Sequence, residues 1–124
     1  MPAYVILFHE LPDGGERGSH WDIMLEDGDC LRTWAVEAEP SAGARLAAIM
    51  LPDHRLEYLD YEGPVSADRG HVSQWDRGSY QGTLSLSSAS KLQLESTRWR
   101  GCLRLQPDGQ DDGRWWLTFP DAVG

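Results

Sequence analysis

Short apolar or alternating stretches recur along the chain, each cut off by glycine, proline or aspartate. Their spacing predicts strands near residues 3–9, 20–26, 30–37, 45–51, 70–76, 79–86, 91–97, 101–106 and 114–119. Glu26-Asp27-Gly28-Asp29, Gln106-Pro107-Asp108-Gly109 and Asp112-Gly113 hold residues that tolerate positive φ or preset a turn, so they read as joints between strands. Trp75-Asp76-Arg77-Gly78 reads as a strand closing in a turn, with Trp75 in the core, Asp76 hydrogen-bonded to the turn and Gly78 permitting the bend. Ala42–Leu51 stays open between helix and strand, because Ala44 to Met50 has good helix formers over too short a span for periodicity to decide. Leu11–Ser19, with Gly14, Gly15 and Gly18, reads as a loop. The whole pattern predicts a mostly β fold, a compact closed β-barrel with one or two short helices, as a single domain over residues 1–124.

Composition refines this picture in two ways. Six Trp, four Tyr and two Phe in 124 residues supply the volume for a core without staples. A formal net charge of −9 argues against a broad electrostatic grip on DNA or on an anionic membrane. It leaves room for a phosphate held at one cation, because a bound divalent ion brings its own positive charge. Cys30 and Cys102 lack any Cys-x-x-Cys spacing and read as buried free thiols. The first apolar run stops at His9, Glu10 and Pro12, which predicts neither a signal peptide nor a membrane span and favours a cytoplasmic location.

Candidate chemistry begins in His20-Trp21-Asp22-Ile23-Met24-Leu25-Glu26. Residues two apart on a strand share a face, so the His20 imidazole and the Asp22 carboxylate emerge together while Trp21, Ile23 and Leu25 face the other way. His9, at the end of the run Tyr4 to Phe8, becomes a third ligand if the two strands pair. Two nitrogens and one carboxylate suit manganese, zinc or iron. Further along, His54 and Tyr58 are four residues apart and share a side in either a helical turn or a strand. They fit either hydrogen-bond donors to a metal-held phosphate or, equally, a turn cap and an amphipathic anchor. Lys91, Arg98, Arg100, Arg104 and Arg114 interleave with apolar residues as on a solvated sheet face, with a phosphate-tracking strip as the alternative.

Taken together, His9, His20-Trp21-Asp22, Leu31 to Val36, Asp53-His54 through Tyr58, Asp60-Tyr61-Glu62-Gly63 and Trp75-Asp76-Arg77-Gly78 resemble the 3′-phosphoesterase domain of bacterial DNA ligase D. The chain resembles a small, divergent, stand-alone member. The resemblance implies a β-barrel and a manganese-dependent activity, with zinc as the second metal, that removes a terminal ribonucleoside and then the 3′-phosphate from a nucleic-acid 3′ end during DNA repair. It implies His9, His20 and Asp22 as metal ligands, His54 and Tyr58 at the phosphate, and a repair ligase or polymerase as partner. Two positions depart from the family pattern. Met24 stands where an arginine contacts the phosphate, and Ala38 stands near the place of a lysine. Either Arg17, Arg55 or another basic residue supplies the missing contact, or the domain binds metal and a ligand or protein partner without turnover.

Overall fold

The computed structural model describes residues 2–11, 18–65, 70–109 and 113–121. Nine antiparallel strands form one sheet: β1 (Ala3–Glu10), β2 (His20–Asp27), β3 (Cys30–Val36), β4 (Arg45–Arg55), β5 (Gly63–Pro64), β6 (His71–Gln81), β7 (Ser90–Ser96), β8 (Arg100–Pro107) and β9 (Arg114–Thr118). Eight of them close on themselves in the order β1-β2-β3-β4-β9-β8-β7-β6, with β6 returning to β1, and β5 adds only a short rung outside β6. Closure removes the free edges that an open sheet would present.

Alternation along each strand sends one set of side chains inward. Tyr4, Ile6, Ile23, Leu25, Trp34, Val36, Leu92, Leu94, Leu103, Leu105, Trp115 and Leu117 fill the barrel as one continuous cluster. Trp34 meets Trp115 edge-on at 5.3 Å, and Trp99 stacks on Phe119 at 5.2 Å, so aromatic rings supply much of the interior volume. A second, smaller cluster lies on the outside of the wall. Val5, Leu7, Met24, Leu31 and Val72 are buried there because residues 56–65 cross over them, with Leu59 packed down.

Three expectations change. Of residues 42–51, Arg45 onward resolves to strand, since β4 must pair with both β3 and β9, and Ala42 and Gly43 form the turn before it. The two strands expected near 70–76 and 79–86 are a single strand, β6, so Trp75-Asp76-Arg77-Gly78 is not a turn. Trp75 is the extra residue of a bulge opposite the Ile6–Leu7 step, and Asp76 points inward to accept hydrogen bonds from the Tyr4 hydroxyl at 2.6 Å and the Ser96 hydroxyl at 3.1 Å. Burial first, and then the Asp76 carboxylate, push the Tyr4 phenol well above its ordinary range and keep it a donor. The one helical piece among the described residues is the 3₁₀ turn Leu56–Leu59. Cys30 and Cys102 are free but only half-buried. No helix among the described residues is long and apolar enough to cross a membrane.

Gly78 owes its place to crowding. A Cβ there would sit 2.1 Å from the Glu95 carbonyl oxygen and 2.8 Å from the Ser96 Cβ. Gly78→Ala is therefore expected to destabilise the barrel by roughly 1–3 kcal/mol, the usual range for overpacking, read as a lower urea midpoint at unchanged slope.

Candidate active site

The β1–β2 register sets the geometry. His9 pairs directly with His20, and Asp22 lies opposite Leu7, so all three side chains stand on the outer wall while Ile23 and Leu25 go to the core. Their ligand atoms lie within 4.8 Å of one another. His20 Nε2 is 3.2 Å from Asp22 Oδ1, and His9 Nδ1 is 3.6 Å from Asp22 Oδ2. His20 and Asp22 are buried, and His9 is half-buried.

Asp22 Oδ1 is the unusual atom. It is fully buried and accepts no hydrogen bond, although the His20 nitrogen is close by. The other His20 nitrogen, Nδ1, lies 3.3 Å from the Gly18 carbonyl, which can only accept, so Nδ1 carries the proton and Nε2 is free to present a lone pair. A lone pair and a carboxylate oxygen do not attract each other unless a cation lies between them. Two imidazole nitrogens, one ionised carboxylate and one unsatisfied buried oxygen fit a divalent cation.

His54 and Tyr58 reach the same cleft by a route that four-residue spacing does not describe. β4 carries one extra residue between the Leu31 and Thr33 pairings, and this bulge reverses the alternation so that His54 sits on the outer face beside Leu31. Arg32 spans the irregularity, with Nη1 2.7 Å from Asp53 and Nε 2.9 Å from Asp27. Tyr58 then comes from the 3₁₀ turn, and its ring meets His54 edge-on at 5.5 Å. A cavity of about 100 Å³ is lined by His9, Asp22, His54 and Tyr58 together with Leu7, Met24, Val65 and Val72. His54 Nδ1 donates to the Pro52 carbonyl at 2.9 Å, leaving Nε2 for other partners.

Met24 lines this cavity from the Asp22 side of β2, nearly without exposure, within the apolar cluster under the crossing segment. Arg55 lies in the adjoining open cleft beside Tyr58, with Nη1 3.2 Å from Glu57 Oε1, and Ala38 lines a separate groove next to His20. Arg17 lies outside the described residues. Of the C-terminal basic residues, Arg98 covers Trp75 at 3.7 Å, Arg100 is 3.8 Å from Glu95, and Arg114 borders the groove beside His20. Within residues 56–65 the sequence pointed to Tyr58 and to the Asp60–Gly63 element of the resemblance, but not to the segment as a whole, which roofs the cleft. Gln74 Nε2 donates to the Leu59 carbonyl at 3.2 Å, Gln74 N–H donates to Glu62, and the Arg77 guanidinium donates to the Leu59 carbonyl and the Asp60 carboxylate.

These features define a small antiparallel β-barrel with a two-histidine, one-carboxylate cluster on its outer wall beside a His–Tyr pair. The chain belongs to the DNA ligase D 3′-phosphoesterase domain family, whose sequence profile matches residues 14–117. It is 35% identical over 111 residues, 85% of its length, to the multifunctional non-homologous end joining protein LigD of Pseudomonas aeruginosa. It is also 35% identical over 69 residues, 52% of its length, to the Mycobacterium bovis protein of the same name. The chain spans only 12% and 9% of these relatives. His9 precedes the profile match, so its place in the cluster rests on the β1–β2 register.

Arg77→Met is expected to raise amide exchange across residues 56–65 while leaving the protection of β1–β4 unchanged, as hydrogen-exchange mass spectrometry would show. Uniform loss of protection would mean that Arg77 supports the barrel rather than the roof.

Proposed function

We propose that this chain is a manganese-dependent phosphoesterase acting on nucleic-acid 3′ ends, removing a 3′-ribonucleoside and a 3′-phosphate in end-joining repair. The observation that carries the reading is the unsatisfied Asp22 Oδ1 between two imidazoles, at the wall of a cavity that also holds His54 and Tyr58. Family membership gives the reaction class. Zinc is the second choice for the same donor set.

His9, His20 and Asp22 would hold the ion. When bound, it supplies Lewis acidity toward a phosphoryl oxygen and a template that orients the ester. The His20 Nδ1–H contact to Gly18 fixes the ring so that Nε2 faces the carboxylate. The Tyr58 hydroxyl donates a hydrogen bond to a phosphoryl oxygen, and His54, held by Nδ1–H on Pro52, acts as the imidazolium and passes its Nε2 proton to the departing oxygen as water supplies the incoming one. Leu7, Met24, Val65 and Val72 keep this end of the cavity dry, which strengthens those contacts. A ligase or polymerase that needs a 3′-hydroxyl is the class of enzyme that would use the product.

One observation favours a second reading, in which the domain binds metal and a ligand or partner without turnover. Met24 contributes packing where the family pattern has a guanidinium, and a thioether makes no bidentate contact to phosphate. The test is product formation from a primer-template bearing a 3′-phosphate or a 3′-ribonucleotide, with manganese. The wild-type protein is expected to convert both, and His20→Ala to lose at least about a hundredfold in rate, on the scale of removing a principal electrostatic contributor. No product from wild type, or equal product from both, would overturn the enzyme reading. Met24→Arg is expected to raise turnover while costing about 1–3 kcal/mol of stability, because the longer side chain must displace packed apolar neighbours.

A further inference from the structure

The cavity beside the cation cluster has two unlike halves. Among the described residues its polar lining is His9, Asp22, His54 and Tyr58, and its apolar lining is Leu7, Met24, Val65 and Val72. Leu7, Met24 and Val72 are at most 3% exposed and are packed in the outer apolar cluster, with Val65 against them. This half is therefore a fixed wall whose side chains offer no hydrogen-bond donor, since the Met24 thioether is only a weak acceptor.

A phosphoryl group brings four oxygens to this space. In the proposed reaction one departs with the His54 proton, one faces the ion and one takes the Tyr58 hydrogen bond, which leaves the fourth against the apolar wall. In a phosphomonoester that oxygen shares the anionic charge, and burying it without a donor is unfavourable. In a phosphodiester it is an ester oxygen, uncharged and bonded to carbon, and the wall suits it. The cavity volume of about 100 Å³ is the liquid volume of roughly three waters, so the phosphoryl group itself fills it and leaves no solvent layer to supply the missing donor.

The adjoining cleft favours the same class. It measures about 380 Å³, shares Tyr58 and Val65 with the cavity, and adds Tyr61 and Pro64. Tyr58 and Tyr61 stand edge-to-face with ring centres 5.6 Å apart, and the Tyr61 hydroxyl donates to the Pro64 carbonyl. Arg55 and Glu57, at the same cleft, pair with each other at 3.2 Å. Such a surface receives an organic substituent rather than a charge. A diester carries two substituents, one for each side of the phosphorus, and a monoester carries one.

We propose that Met24 and the apolar wall around it make this chain selective for phosphodiesters over phosphomonoesters. This selectivity presupposes the phosphoesterase reading and divides its two steps: release of a 3′-ribonucleoside is favoured, and the 3′-phosphate left behind is a poor substrate. In the favoured step the oxygen of water bonds to phosphorus, the bond from phosphorus to the ribonucleoside oxygen breaks, and that oxygen leaves with the His54 proton. The proton shed by the water goes to solvent, from which His54 is recharged. Met24 determines specificity because it occupies the place beside Asp22 from which a longer polar side chain would reach the fourth oxygen.

An oligonucleotide with one 3′-terminal ribonucleoside, incubated with the manganese-loaded protein, separates the two steps. The 3′-phosphate strand is expected to accumulate, its removal being at least about tenfold slower than its formation, on the scale of one missing charge-assisted hydrogen bond. Met24→Gln keeps the side-chain length and adds an amide donor, and should lower that rate ratio by about tenfold. Met24→Leu keeps an apolar wall and should hold the wild-type ratio. Calorimetry with dimethyl phosphate and with methyl phosphate at about pH 8, where the monoester is a dianion, reads the same selectivity without turnover. Wild-type protein is expected to bind methyl phosphate no more tightly than dimethyl phosphate, and Met24→Gln to shift that ratio about tenfold toward methyl phosphate. The two wild-type measurements decide the matter even if Met24→Gln does not fold. Removal of the 3′-phosphate as fast as its formation, tighter binding of methyl phosphate by wild type, or unchanged ratios in a folded Met24→Gln protein would overturn the selectivity while leaving the phosphoesterase reading intact. Diester-selective binding without turnover of either end would support the role of the wall and overturn the phosphoesterase reading.

Discussion

The carboxylate of Asp22 is held where it is because β1 is paired along both edges, to β2 on one side and to β6 on the other, which also closes the barrel. A slip of one residue in the β1–β2 pairing would turn His9 inward and leave His20 and Asp22 without a second imidazole. Such a slip is opposed from within. It would move Tyr4 and Ile6 out of the core and would break the buried Tyr4–Asp76 hydrogen bond, which ties β1 to β6 at a single register. The chemistry on the outer wall is thus fixed by packing on the inner one.

Alternation alone does not assemble the cleft. It is interrupted twice, at Trp75 in β6 and in β4 just before His54, and each bulge moves a side chain to the face where it is used. The first lets Asp76 face the core while both Arg77 and Gln74 remain outside to hold residues 56–65. The second puts His54 outside, next to Leu31. The segment that follows brings Tyr58 over the cleft and buries Leu59 on the wall, so that a small apolar cluster forms on the solvent side of the barrel. Met24 belongs to that cluster, and its packing explains how the wall stays closed with no guanidinium at this position.

Much of this was legible in the sequence. Period-two alternation located His20 and Asp22 on one face, and the run Tyr4 to His9 located their partner, because a buried strand leaves few registers open. The four-residue spacing singled out His54 and Tyr58 with two roles open, the resemblance implied the phosphate role, and the structure places both in the same cavity. The misreadings had physical causes. Gly78 resembles a turn residue by type, but its absent Cβ makes room for the Glu95 carbonyl across the sheet, a contact between residues distant in sequence. Bulges leave little local signature, so the parity change before His54 was invisible.

The acidic overall charge leaves room for the proposed phosphate site, because an ion at the cluster would bring its own positive charge. The claim on which this account turns is that a cation sits between His9, His20 and Asp22. Diffraction from a manganese-soaked crystal, collected at an energy where manganese scatters anomalously, tests it most directly. The account predicts an anomalous peak within about 2.0–2.3 Å of a nitrogen from each histidine and an oxygen of Asp22, as first-row ions bind such donors. Absence of a peak there at saturating manganese, or a peak bound elsewhere with the three side chains turned apart, would contradict it.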